Sequence, residues 1–140
     1  MKKLLILLFS ILISFNSYGE TESDYYSNGQ IKSETTYKDG KLDGKSHMWH
    51  ENGQKWEEGN YKDDEEDGKW TGWYANGQKL YEGNFKDGEY DGIWTDWDEN
   101  GHIKAKATFL NGRCISGDCD SFYEYEFFLV NFIKRLFSWI

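Results

Sequence analysis

An Asn-Gly pair recurs every 24 residues, at Asn28-Gly29, Asn52-Gly53, Asn76-Gly77 and Asn100-Gly101. Aligned on that pair, the chain reads as four units over 25-48, 49-72, 73-96 and 97-120, the third being WYANGQKLYEGNFKDGEYDGIWTD. A fixed period of this length marks a repeat array. One such unit is too small to offset its own backbone entropy, so stacked neighbours must complete its core.

Asn-Gly between aromatic-rich segments is a hairpin signal, because a type I′ turn requires positive φ at both central residues. The third hairpin is then expected to run from Gly68 to Ala75 and from Gln78 to Phe85. A two-residue turn places Ala75 opposite Gln78, Tyr74 opposite Lys79, Trp73 opposite Leu80 and Gly72 opposite Tyr81. Strand alternation puts Tyr81, Gly83 and Phe85 on one face, beside Trp70, Gly72 and Tyr74, and this is the expected packed face. The segments KDGKLDG from Lys38, KDDEEDG from Lys62 and KDGEYDG from Lys86 read as the connections between hairpins. The fold expected is all-β: an elongated antiparallel meander of stacked 24-residue β-hairpin repeats, about eight strands long, followed by a C-terminal amphipathic helix. Thr35 and Ala107 stand where Gly59 and Gly83 stand inside, as terminal, capping repeats require.

Two aromatic columns follow from the register. One holds Tyr25, Trp49, Trp73 and Trp97, and is the candidate partner-binding column; the other, Tyr37, Tyr61, Phe85 and Phe109, is the candidate structural column. Trp73 falls on the face opposite Phe85. Either both faces carry aromatics or a bulge near Gly72 re-aims one set.

The array occupies residues 20-120, and its flanks read differently. Lys2 and Lys3 precede an apolar run from Leu4 to Phe15, and Ser17 and Gly19 stand at minus three and minus one to Glu20. That is the pattern of a signal peptide over 1-19, cleaved near Gly19, and it implies export to the periplasm, the cell envelope or the medium. The full chain carries a formal charge of −9; losing two lysines leaves 14 basic against 25 acidic residues, a net of −11. Such a surface repels nucleic acid. After Phe122, residues Tyr125, Phe128, Leu129, Phe132, Ile133, Leu136 and Ile140 recur at steps of three and four, predicting an amphipathic helix over 121-140. It is expected to cover the open end of the sheet, or to lie on a membrane surface.

The stretches YEGNFKDGEYDG from Tyr81 and EEGNYKDDEEDG from Glu57, each preceded by Asn-Gly-Gln, resemble the MORN-repeat variant proteins of bacteria, some of which are labelled YwqK-type antitoxins. The resemblance covers about residues 25 to 112. It implies an interaction scaffold, and the antitoxin label implies a partner toxin.

Chemistry is thinly represented. His47, His50 and His102 share no column, so no metal triad or nucleophile-base pair follows. The acidic run from Asp63 to Asp67 lacks the alternate spacing of a calcium loop. Cys114 and Cys119 are the only cysteines, and in an exported chain they are expected to pair and pin the end of the array. No catalytic residue, metal or cofactor is expected. The reading is a non-enzymatic exported scaffold that binds another protein. The alternatives are an antitoxin or immunity-type protein that neutralises a toxin, and a cell-wall or carbohydrate binder that uses its aromatic columns.

Overall fold

The computed structural model describes residues 19–123. The strands are β1 (Glu20–Tyr25), β2 (Ile31–Lys38), β3 (Lys41–Trp49), β4 (Lys55–Lys62), β5 (Glu65–Glu66), β6 (Gly68–Trp73), β7 (Lys79–Lys86), β8 (Glu89–Trp97), β9 (Ile103–Leu110) and β10 (Arg113–Gly117). They form one antiparallel sheet in the order β1-β2-β3-β4-β6-β7-β8-β9-β10, with the two-residue β5 paired to β4 alone. Every strand on that path lies beside its sequence neighbours, so the sheet is the expected meander. It has ten strands rather than eight. The chain is helical over 119–123; the rest of the expected amphipathic helix, and residues 1-18 of the expected signal peptide, lie outside the described residues.

The Asn-Gly turns differ from the two-residue type I′ expectation. Only the glycine of each pair has positive φ, 82° to 84°, while the asparagine does not. The Tyr74 N–H donates to the Gln78 carbonyl at 2.9 Å and the Gly77 N–H donates to the Tyr74 carbonyl at 2.9 Å. This is a three-residue loop, a type I turn closed by a glycine bulge. Side chains decide it. The Asn76 carboxamide oxygen accepts from the Gln78 N–H at 2.9 Å, and Asn28 and Asn52 do the same two residues on. That bond favours the right-handed conformation of a side-chain-capped turn.

The longer loop shifts the pairing. Gly72 does face Tyr81, but Trp73 faces Lys79, with a bulge between Gly72 and Trp73. Bulges recur at Asp24/Tyr25, Met48/Trp49 and Asp96/Trp97, one per repeat at the same place. The type I′ turns sit at the other edge of the sheet, where positive φ occurs at both residues of Asp39-Gly40, Asp63-Asp64, Asp87-Gly88 and Asn111-Gly112. The expected seven-residue connections are therefore mostly strand; from Lys86 to Gly92, only Asp87 and Gly88 turn the chain.

Both edges are laced from repeat to repeat. On the Asn-Gly side the Tyr26 hydroxyl donates to the Trp49 carbonyl at 2.7 Å, His50 Nε2 to that of Trp73 at 2.9 Å and the Tyr74 hydroxyl to that of Trp97 at 2.9 Å. Asn52 and Asn76 Nδ2 add bonds of 2.8 and 2.9 Å to the Ala75 and Glu99 carbonyls. On the other side the Asp64, Gly88 and Gly112 N–H groups reach the Leu42, Glu66 and Tyr90 carbonyls at 2.9 to 3.1 Å. Each repeat thus satisfies the turn carbonyls of its neighbour, the physical form of the expected dependence between units.

The core lies on one face of the inner and last repeats. Trp70, Trp94, Ala105, Ala107, Phe109 and Phe122 are buried, with Tyr61, Tyr81, Phe85 and Tyr90 packed against them. A Cβ built on Gly59 would fall 2.1 Å from the Trp70 ring, and one on Gly83 would fall 2.1 Å from the Trp94 ring. Each indole lies flat on a glycine of the preceding strand. Its N–H then finds the next carbonyl, Trp70 Nε1 to Asn60 O at 3.2 Å and Trp94 Nε1 to Asn84 O at 2.9 Å. Without that bond the buried indole N–H would lose its water partners uncompensated.

Candidate functional site

The two faces of the sheet offer different surfaces. On the packed face, Leu80, Tyr81, Phe85, Tyr90, Trp94, Asp96 and Phe122 line a groove of about 390 Å³. The bulge beside Trp73 makes it possible: Leu80 is the extra residue of β7, and it joins Tyr81 in the groove wall instead of alternating away. Phe85 meets Trp94 edge-on at 4.9 Å between ring centroids, Tyr81 stacks on Trp94 at 5.9 Å, and Phe122 closes one end against Phe109 at 5.4 Å. These arrangements match the offset and edge-to-face preferences of aromatic quadrupoles.

Two carboxyls interrupt this apolar floor. Burial drives the Asp96 pKa up to about 6, against a smaller opposing pull from Lys104, and no hydrogen bond to the Asp96 carboxyl group occurs among the described residues. Glu57 is also raised by burial, only partly offset by the hydrogen bond it accepts from the Tyr81 hydroxyl. The Tyr81 hydroxyl is in turn held protonated, by burial first and then by that bond. A low-dielectric surrounding penalises the charged form of all three groups.

The opposite face is polar and ladder-like. Lys45, His47, Glu58, Asn60, Lys69 and Thr71 line one shallow depression, and Lys69, Glu82, Asn84, Ile93, Thr95 and Lys106 line the next. The expected partner-binding column runs along this face. His47 contacts Trp49 at 5.9 Å, while Lys55 Nζ lies 5.5 Å from the Trp73 ring centroid and Lys79 Nζ lies 5.5 Å from that of Trp97. The same lysines pair with Glu58 at 2.5 Å and Glu82 at 2.6 Å, and Lys69 reaches Glu82 at 3.0 Å. Glu82 is consequently held below the usual carboxylate range, chiefly by its bond from Lys79. Both faces therefore carry aromatics. The tryptophans of this column are half-buried, whereas Tyr25 at its start is 63% exposed.

The second column is uneven. Phe109 is fully buried, and Tyr37, Tyr61 and Phe85 are half-buried. Cys114 and Cys119 are joined, with Cα atoms 5.7 Å apart, and the Cys114 N–H is held by the Tyr123 hydroxyl at 2.9 Å. Among the described residues no group of three or more His, Cys, Asp or Glu side chains could hold a metal ion, and no helix is long and apolar enough to cross a membrane. Column reading from sequence missed the groove, since Leu80, Asp96 and Phe122 lie outside both aromatic columns. The available signal was the alternation of large and absent side chains, Trp70 and Trp94 against Gly59 and Gly83, which marks where rings lie on backbone.

Comparison with protein families returns four consecutive matches to the MORN repeat variant, over residues 21–39, 42–63, 66–87 and 90–111. Each matched unit is one hairpin, β1-β2, β3-β4, β5 to β7 and β8-β9, so the units begin a few residues before the aromatic column. A search of curated proteins found no match to the chain.

Proposed function

The chain belongs to the MORN repeat variant family, and on that premise we propose that it is an exported, non-enzymatic scaffold that binds a partner protein along its tryptophan-lysine face. MORN repeats are commonly scaffolds for contacts with proteins or membranes, and theirs is not a known enzyme family. The observation that carries the proposal is the spacing of Trp49, Trp73 and Trp97. Equivalent positions lie two strands apart, about 9.6 Å, which is close to three residues of an extended peptide. A partner segment laid across the strands meets one tryptophan per three residues, with a lysine-glutamate pair beside Trp73 and Trp97. Tryptophans that are rigid and only half-buried are the residues most able to contribute binding energy when a partner excludes their remaining water. The partner that fits is a polypeptide in a polyproline II conformation, with an apolar side chain at every third residue and charged side chains between.

Export is supported by the leader-like start of the sequence and by the Cys114–Cys119 disulfide, which persists in oxidising compartments. Sugar stacking on the tryptophans is less well served, because Lys55 and Lys79 already occupy the ring faces of Trp73 and Trp97. The test is capture of partner proteins from envelope and secreted fractions by the native chain and by Trp49→Ala, Trp73→Ala and Trp97→Ala together. Loss of capture with an unchanged melting temperature supports the proposal; unchanged capture removes it. Intact mass of the native protein from separated fractions tests the address: a chain starting near Glu20 with both thiols oxidised is expected. A full-length, thiol-reactive chain in the cytoplasm overturns export.

A further inference from the structure

We propose that the aromatic groove on the packed face is a small-molecule site for a protonated amine on an apolar, ring-bearing body, whose ammonium donates to the Asp96 carboxylate while the body lies along Leu80, Phe85 and Phe122. The site uses the face opposite the tryptophan-lysine column, so it stands independently of the partner-binding reading.

The repeat itself does not need a carboxyl at Asp96. Met48 and Gly72 occupy its place in the earlier repeats, which form the same strands and bulges. Its lateral neighbours leave it unsatisfied: it faces Tyr81 on β7, whose hydroxyl already donates to Glu57, and Ala105 on β9, which offers only a methyl group. Lys104 attracts it less than burial penalises it, and among the described residues Asp96 makes no ion pair. A half-buried carboxyl without a donor costs stability, and burial raises its pKa accordingly. A group that the fold does not need and that destabilises it is the mark of a functional site.

The rest of the groove fits such a ligand. Its volume, about 390 Å³, is that of a small-molecule site, and its wall is mostly apolar with one convergent polar group. Tyr81, Phe85, Tyr90 and Trp94 supply aromatic rings, whose electron-rich faces attract a cation, and Leu80 and Phe122 extend the apolar wall. No lysine or arginine lines the groove among the described residues, whereas Lys45, Lys69 and Lys106 line the depressions of the opposite face. An anionic ligand would therefore meet only acid and π density. A neutral one would leave Asp96 as it is. The N–H groups of an ammonium supply the donor that the Asp96 oxygens lack, in a charge-assisted bond.

The test titrates the full chain at neutral pH with phenethylamine and with its uncharged counterpart, phenethyl alcohol, by calorimetry. The amine should saturate one site and bind at least about tenfold more tightly than the alcohol. Asp96→Asn, which keeps the shape of the side chain, should lower affinity for the amine at least about tenfold and leave that for the alcohol unchanged. Asp24→Asn, at the far end of the sheet, should change neither. In the nuclear magnetic resonance spectrum the amine should move the Trp94 indole N–H more than those of Trp49 and Trp73. Equal affinity for amine and alcohol, indifference to Asp96→Asn, shifts confined to Trp49 and Trp73, or no saturable binding would each overturn the proposal. Tighter binding of N-acetyl-lysine methylamide than of phenethylamine would assign the groove to a lysine side chain of another protein and overturn the small-molecule reading.

Discussion

The first repeat and the two inner ones share their strands, turns and bulges, yet their interiors are built differently. Inside, an indole lies on a glycine: Trp70 on Gly59 and Trp94 on Gly83. In the first repeat the corresponding residues are Thr35 and Ser46, which face each other across β2 and β3. Ser46 is 1% exposed, and its hydroxyl has no hydrogen-bond partner among the described residues. The backbone pattern is thus repeated four times, while the energy that holds it is concentrated toward β6 to β9. In a linear array of nearest-neighbour contacts, such an imbalance predicts that the first repeat opens before the rest.

The largest effect should come from Trp94→Ala. Removing a buried indole that contacts Tyr81, Phe85 and Tyr90 should cost about 3–5 kcal/mol, seen as loss of the main transition in denaturant unfolding. A cost below about 1 kcal/mol would mean that the inner repeats are not where the stability lies. Gly83→Ala comes next. Gly83 lacks positive φ, so alanine would ordinarily stabilise a strand there, but its Cβ would press on the Trp94 ring; destabilisation by about 1–3 kcal/mol is expected. Stabilisation instead would refute the ring-on-glycine arrangement.

Asp96 gives a pH-dependent contrast, because Gly72 and Met48 hold its place in the earlier repeats. Its folded pKa of about 6 lies above the ordinary 3.8, so the folded state binds the proton more tightly than the unfolded one. The stability it contributes is therefore fully present below about pH 4 and is lost as pH rises through about 6. Asp96→Asn should stabilise the protein at pH 7 by about 1–2 kcal/mol, allowing for its partial exposure, and by little at pH 4. Equal gains at both pH values would show that ionisation of Asp96 is not the cause. The smallest effect concerns the weak end: Ser46→Ala removes an unpartnered buried hydroxyl and should stabilise the first repeat by about 1 kcal/mol or less. Amide hydrogen exchange in β2 and β3 should slow in that variant while exchange in β7 and β8 stays unchanged. Faster exchange in β2 and β3 would reveal a partner for the hydroxyl.

Much of this was legible before any coordinates. The 24-residue period carried the meander, and the pairing of Gly72 with Tyr81 put Trp70, Tyr81 and Phe85 on one face. The turn chemistry was read at the wrong pair. Asn76-Gly77 and Asn111-Gly112 share a dipeptide, but the Asn76 side chain bridges to Gln78 and to the next repeat, which selects the longer loop. The dipeptide alone could not separate the two cases, because the bond that favours the longer loop is made by the Asn76 side chain to Gln78, outside the pair, and is supported by a second bond to Glu99, 23 residues away. The candidate groove was less legible still, since a bulge sends Leu80 to the same side as Tyr81 against the two-residue alternation on which face assignment rests.

By itself, the sequence determined the number of repeats, their antiparallel order and the need of each for a neighbour, because these depend on period, on glycine positions and on chain entropy. Only the tertiary structure decided which face each tryptophan column occupies, where ionisation is suppressed and where a groove opens. Those properties depend on bulges and on contacts one repeat distant, and such contacts form only after the units have stacked.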